Sequence, residues 1–515
     1  MDPKEILSFC LEKGLLLDRD VLSLLSEEKD VEGVKLILEK IKKHSGKKII
    51  TKSVFYEERD QVSKFFSSLP KEKLENLKIK LGLSIEISRK VSVPVKKEVV
   101  IDQTKGVKVL SMNVLPGKKL EVNDFVQKFR NQFLELKRVL QDRPELEGLV
   151  SIDKISGNRQ GISLIGMVSD KRVTKNKNII FEIEDLTGKT KVLVGQNKEE
   201  LYQKAEEVTL DSVVGFKGSG SKEMFFVNDI IFPDTMLPER KKSPVEEYAL
   251  FIGDVHFGSK NFMKENFEDF IDYLNGKVPN TPEVDKIKYL FILGDLITGV
   301  GNYPNQQKDL RIIDLEDQFN GIADLLGKIR KDIQIIVSPG NHDCVRLMEP
   351  QPLYDEKFAW ALYDLENVIL TENPCVVNIG AKKDFGGFNV LTYHGFSFPF
   401  YADNIARLMK EKAMNSPEKI MRYLLKNRHL APTHKSVQYF PSEKDIHFIK
   451  DAPDIFASGH THKSAIVYHN NVLVVSCSSW ESLTPYQEKF GNKPDHCKVP
   501  LINLKTREVK ILDFE

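Results

Sequence analysis

The spacing of apolar residues divides the chain into stretches of different period. Residues 1–70 follow a helical repeat: Ile6, Leu7, Phe9 and Cys10 form one stripe, Val21, Leu22, Leu24 and Leu25 a second, and Val34, Leu36, Ile37 and Ile41 a third. Asp2-Pro3 and Asp18 read as helix starts, and Gly14 and Gly46 as helix ends. This predicts a small helical bundle, a shape suited to binding a partner. The repeat disappears over 71–120, which is rich in lysine and valine, so a flexible linker is expected there with a hairpin around 107–114. A connecting helix is predicted within 121–147. Its face of Phe125, Phe129, Phe133 and Leu136 runs from about 122 to 140, and Gln141-Asp142-Arg143-Pro144 ends it. Strand-like runs then appear at 163–168, 178–184, 191–194, 212–217 and 224–231, with a helix-like segment at 198–207 between the third and fourth. From residue 246 the short apolar runs at 248–252, 288–293, 333–337, 388–393 and 455–457 read as buried strands.

Composition narrows this picture only a little. A chain of 515 residues has room for about three domains. It is 41% hydrophobic and 29% charged with a formal net charge of +1, so any basic surface for nucleic acid must be local. No apolar stretch is long enough to span a membrane, and the segment after Met1 lacks the run of a secretory signal. The cysteines at 10, 344, 375, 477 and 497 have no paired spacing, which suits a reducing cytoplasm.

The polar residues behind the five buried strands change the picture most. They are Asp254-Val-His256, Gly294-Asp295, Gly340-Asn341-His342-Asp343, His394-Gly395 and Gly459-His460-Thr461-His462. Strand ends are where loops converge on one site, and carboxylate, imidazole and amide are ligands for Mn²⁺, Fe²⁺ or Zn²⁺. Two cations about 3.5–4 Å apart clamp and polarise a phosphoryl group and activate a water near neutral pH. Asp295, alone at its strand end, is the natural bridge between them. Asp254, His256 and one late histidine can complete the first metal; Asn341, His394 and the other late histidine can complete the second. His342 is better cast as a general acid, with Asp343 beside it to orient the ring.

All signature positions of the calcineurin-like metallophosphoesterase superfamily are present, and the resemblance covers roughly residues 246–515. It implies a four-layer αββα sandwich with two divalent cations, Mn²⁺ first among Mn²⁺, Fe²⁺, Zn²⁺ and Mg²⁺. Upstream, five short strands with a helix in that slot form the pattern of an OB-fold barrel over 148–240. Gly166-Met167-Val168, with Phe181-Glu182-Ile183-Glu184-Asp185-Leu186-Thr187-Gly188, resembles nucleic-acid-binding OB domains. Arg159, Lys171, Arg172, Lys175 and Lys177 bring charge, and Phe181, Phe225 and Phe226 bring rings for stacking bases. Those phenylalanines must also fill a barrel core, so a packing or interface role is favoured.

An OB-fold placed ahead of a phosphoesterase resembles the small (B) subunits of replicative DNA polymerases. With every metal ligand kept, the resemblance points to the archaeal family D branch. The segment Met421-Arg422-Tyr423-Leu424-Leu425-Lys426-Asn427-Arg428-His429-Leu430-Ala431-Pro432 supports it. The fold class is therefore expected to be α+β multidomain: helical bundle, OB-fold barrel and metallophosphoesterase sandwich. The resemblance implies a cytoplasmic 3′–5′ exonuclease that proofreads for a large catalytic subunit carrying the polymerase site. The terminal phosphodiester spans both metals, and His342 protonates the departing 3′ oxygen. Arg422, Lys426 and Arg428 are candidates for guiding single-stranded or frayed DNA 3′ ends by phosphate contacts. His44, His429, His434, His447, His469 and His496 read as structural. The first 70 residues are candidates for recruiting a sliding clamp or another replisome protein. The alternatives are a non-catalytic assembly subunit and a stand-alone phosphodiesterase or phosphatase.

Overall fold

The computed structural model describes residues 3–17, 106–111, 119–155, 159–442, 444–489 and 493–515, with single positions or pairs at 22, 35, 38, 42, 49–50 and 491. Two units are resolved, 1–100 and 101–515. In the first, a helix spans Pro3–Glu12, and Leu16–Leu17 pairs in parallel with Ile49–Ile50, a contact the helical repeat did not predict. The rest of the three-helix reading, and most of the linker reading, lies outside the described residues.

The second unit is built on three sheets. One sheet runs in the order Val368–Leu370, Gln334–Ser338, Ile287–Leu293, Tyr248–Ile252, Lys498–Asn503 and Val509–Asp513; its first four strands are parallel. The other six-stranded sheet runs Ala465–His469, Val472–Ser476, Ile455–Ser458, Phe388–Thr392, Cys375–Ile379 and Val107–Val109. Successive side chains of a strand point to opposite faces, and both faces are covered here. Ala249 and Phe251 thus face the second sheet, in one cluster with Val377, Val390 and Val475, whereas Leu250 and Ile252 face Phe267, Phe270 and Phe319 on the outer helices. The second sheet's far face packs Phe456, Val472 and Val474 against the helices Phe398–Asn404 and Pro417–Asn427. The result is four layers, helix–sheet–sheet–helix.

The third sheet closes on itself. Its strands Arg159–Val173, Ile179–Glu184, Lys189–Val194, Phe225–Ile231 and Val213–Gly220 are neighbours in that order, and the last pairs back with the first. Only the Lys189–Val194 and Phe225–Ile231 pair is parallel. A helix at Glu199–Glu207 follows the third strand in sequence. All five strands and the helix fall within a few residues of the positions read from the sequence.

The connecting helix spans Val122–Gln141 and ties barrel to sandwich. Phe133, Leu136 and Leu140 bury against Ile165, Met167 and Val213 of the barrel, while Phe125 reaches Val437 and Tyr439 of the sandwich. Between barrel and sandwich, Tyr423 donates its hydroxyl to the Glu207 carbonyl at 3.0 Å, and Gln132 Nε2 donates to both the Asp211 and Pro432 carbonyls.

One expectation needs correction. Val107–Val109 does not belong to a free linker: it pairs antiparallel with Cys375–Ile379 and joins the second sheet, while the rest of the hairpin expected around 107–114 lies largely outside the described residues. A three-residue run is too short to pair alone, and the exposed edge of that sheet supplies its hydrogen bonds. Among the described residues, no helix is long and apolar enough to cross a membrane.

Candidate metal centre

The five predicted polar clusters sit just beyond the C-terminal ends of the strands Tyr248–Ile252, Ile287–Leu293, Gln334–Ser338, Phe388–Thr392 and Ile455–Ser458, and the fold brings all of them together. Two groups of ligating atoms form, each with its atoms within 4.8 Å of one another: Asp254, His256 and His462 in one, Asp295, His394 and His460 in the other. Asp295 Oδ2 lies 3.3 Å from His394 Nε2 and 3.8 Å from His256 Nε2, so one carboxylate reaches both groups. Asn341 Oδ1 is 3.1 Å from His394 Nε2.

The backbone is strained to make this possible. Asp254, His256, Asp295, His460 and His462 all have φ between 50° and 69°, in the left-handed region that non-glycine residues avoid. Such residues persist only where their surroundings over-determine them, and they cluster at functional sites. Here Asp254 N donates to the Gly294 carbonyl and His256 N to the Asp295 carbonyl, each at 3.0 Å, and His460 N donates to both carboxylate oxygens of Asp254. The glycines leave room for the approach. A Cβ on Gly340 would stand 2.2 Å from Asp295 Oδ1, and one on Gly294, whose φ is +84°, would stand 2.3 Å from His394 Nδ1.

The electrostatics are those of carboxylates enclosed by imidazoles. Burial raises the Asp295 pKa, but His394 and His342 outweigh it and hold the carboxyl well below its usual range. Burial lowers His394, yet Asp295 and Asp254 more than offset this and lift the ring to about 10. His460 is pulled down to about 3 by burial and then by His394, which Asp295 only partly opposes, and His256 is likewise depressed by burial and by His342.

The residues fit divalent cations. His256 Nε2 faces His462 Nε2 at 3.2 Å, and the buried His256 Nδ1 has no hydrogen-bond partner among the described residues. Imidazoles and carboxylates converging within 4.8 Å in two adjoining groups are the donor set that divalent transition metals take. The superfamily implies divalent metal ions, and these two groups are where the chain offers ligands for them.

Other predicted residues are placed differently. Asp343 does not orient His342. Its Oδ1 accepts from Ile297 N at 2.9 Å, and its Oδ2 from Gly340 N at 2.7 Å and Tyr354 hydroxyl at 3.2 Å; the carboxylate pins the turn beneath the site. The His342 ring is held instead at Nδ1, which donates to the Thr298 carbonyl at 3.2 Å, a carbonyl that also accepts from Asn302 Nδ2 at 3.0 Å; the ring stands edge-on to His256, centroids 4.9 Å apart. Lys426 pairs with the Glu207 carboxylate and lies over the Phe232 ring, and Arg428 donates to the Ile449 and Lys450 carbonyls, so both have partners within the chain. Arg422 is exposed. Gln487, which sequence reasoning missed, donates Nε2 to His462 Nδ1 at 2.8 Å; nothing in its short helix Pro485–Lys489 signals that contact.

Comparison with known proteins agrees with this geometry. The calcineurin-like phosphoesterase family model matches residues 249–464. The DNA polymerase II small subunit of Methanothermobacter thermautotrophicus is 34% identical over 398 residues, covering 76% of this chain and 80% of that protein. Its namesake in Pyrococcus horikoshii is 34% identical over 458 residues, 86% of this chain and 71% of that one. The Pyrococcus furiosus protein is 37% identical over 403 residues, 76% of this chain and 64% of its own length. The chain therefore spans a little under two thirds of the Pyrococcus furiosus and Pyrococcus abyssi relatives, at 64% and 63%. Two candidate metal groups at the strand ends of a phosphoesterase fold, and this identity across most of the chain, place the protein in the family of archaeal DNA polymerase II small subunits.

Proposed function

We propose that this chain is the small subunit of a heterodimeric archaeal DNA polymerase of family D, and that it trims DNA 3′ ends by two-metal phosphodiester hydrolysis. The observation that carries the reading is the single Asp295 carboxylate oxygen within 3.8 Å of imidazoles in both candidate groups. In this reading Asp254, His256 and His462 hold one cation, His394, His460 and Asn341 hold the other, and Asp295 bridges them. Mn²⁺, Fe²⁺, Zn²⁺ and Mg²⁺ all suit these donors, with Mn²⁺ preferred. When bound, the two cations polarise the phosphodiester and lower the pKa of a water.

The chain's own residues supply the remaining steps. His342, its ring anchored by the Nδ1 hydrogen bond to the Thr298 carbonyl, gives a proton to the departing 3′ oxygen. A frayed or mismatched end is preferred because it needs no base pairs broken to reach the site.

The barrel is read as an OB-fold of about residues 148–240, supported by its closed strand order and by the helix that follows its third strand. Phe181 and Phe225 fill its core and Lys171 is drawn inward, which favours packing and partner contact over a DNA groove. Barrel and phosphoesterase together bind the large subunit, which carries nucleotidyl transfer. That the relatives are named as small subunits supports this partner.

The decisive assay offers purified chain, with Mn²⁺, a 3′-mismatched duplex, a matched duplex and p-nitrophenyl phosphate. Trimming of DNA, faster on the mismatch and lost in Asp295→Ala and His342→Ala, is the expected result. Hydrolysis of none of the three overturns the reading, and hydrolysis of p-nitrophenyl phosphate alone favours a stand-alone phosphatase. Co-expression with the large subunit should give one size-exclusion peak; two peaks at micromolar concentration count against the heterodimer.

A further inference from the structure

We propose that Phe396 determines the specificity of this site: its ring stacks on the base of the nucleotide being removed and so selects an unpaired DNA end over other phosphodiesters. The inference rests on the 3′-end trimming proposed above.

Phe396 follows the candidate ligand His394 by two residues. Between them Gly395 takes φ +117°, where a Cβ would meet Ser458 Oγ at 3.0 Å and the Phe398 ring at 3.1 Å. That turn carries the Phe396 ring to the candidate ligand His460, centroids 5.7 Å apart and planes at 72°. Two residues on, Phe398 is fully buried with Tyr393 and Tyr401 in the outer core. Phe396 is not needed there and stays only partly buried, as does His460 beside it.

The ring is braced from behind. Ala431, Val437 and Tyr439 of the sandwich and Phe125 of the connecting helix form one apolar cluster with it. The Tyr439 hydroxyl is in turn fixed by His434 Nδ1 at 2.6 Å. A rigid, backed aromatic ring with open surface, next to residues that hold a phosphodiester, is what base stacking requires. Stacking is tolerant of sequence because every base has a π-face, and it is denied to a base still sandwiched in a duplex. Truncating a stacking ring costs about 1–3 kcal/mol per base, so roughly a tenfold effect is expected.

The test uses the full-length chain and a single-stranded oligonucleotide with 2-aminopurine at its 3′ end, in EDTA so that nothing is cut. Binding to wild type should quench the terminal fluorophore; Phe396→Ala should lose the quench and Phe396→Trp should keep it. With Mn²⁺, the ratio of kcat/KM on DNA to kcat/KM on bis(p-nitrophenyl) phosphate should fall about tenfold in Phe396→Ala, mainly through KM, and recover in Phe396→Trp. Equal losses on the two substrates would mean that the ring merely supports His460 and would overturn the inference, as would an unchanged quench. A wild-type chain that trims no DNA defeats the nuclease reading instead, while the quench in EDTA still decides the stacking.

Discussion

Lys171 in the barrel is half-buried and His256 at the converging strand ends is buried, and the protein treats these two nitrogen bases in opposite ways. Lys171 Nζ donates to three carbonyls, of Ala205, Glu206 and Val208, and so caps the C-terminal end of the helix Glu199–Glu207. Burial lowers its pKa to about 8, yet every proton it carries has a protein acceptor. His256 has one ring nitrogen facing another imidazole and the other without a hydrogen-bond partner among the described residues. The backbone repeats the contrast. In the barrel, left-handed residues such as Lys177 and Asp211 lie in turns that lead into strands, whereas at the metal centre they are the candidate ligands themselves. In this pair the side chain that serves packing has its protons met by the protein, and the one at the metal centre keeps a buried ring nitrogen that no described residue meets.

Perturbing each side tests this contrast. The largest effect is expected from Phe225→Ala, which empties a fully buried barrel position and should cost about 3–5 kcal/mol in chemical denaturation. At the metal centre, Mn²⁺ at about 100 times its Kd should stabilise wild type by about 2.7 kcal/mol in a thermal shift. Asp295→Ala should erase most of that gain. A variant still stabilised to the wild-type extent would remove Asp295 from both groups. Lys171→Met should cost about 1–3 kcal/mol, because three carbonyls lose their donor, with no change in the Mn²⁺ shift. The smallest effect belongs to Phe226→Ala: the ring is 53% exposed beside buried Phe225, so its removal should move stability by no more than about 0.5 kcal/mol. A larger loss would reveal packing on the barrel's outer face.

Much of this architecture could be read from the chain because periodicity and motif spacing are local. The strand runs, the helix around 122–140 and the seven candidate ligands all carried their signal within a dozen residues. What misled was adjacency. Asp343 is next to His342 in sequence, but consecutive residues in a tight turn point apart, and the partner of the ring is the Thr298 carbonyl. Lys426 and Arg428 look like a basic helix face, yet their partners, Glu207 and the carbonyls of Ile449 and Lys450, come from distant segments. Asn302 and Gln487 were invisible for the same reason: amide side chains leave no mark on hydrophobic period, and their histidines lie 40 and 25 residues away.

The short strand Val107–Val109 makes the order of synthesis matter. It completes a sheet whose neighbouring strand, Cys375–Ile379, is made some 270 residues later, with the entire barrel in between. As the chain emerges, the barrel has all five strands available while this segment still has nothing to pair with. Contacts of such sequence separation are slow to form. Until they do, Cys375–Ile379 presents an open edge of the kind on which other chains can add. A phosphoesterase cut out at residue 246 would leave Cys375–Ile379 as the edge strand, so the segment covers the edge of a domain it precedes by more than a hundred residues.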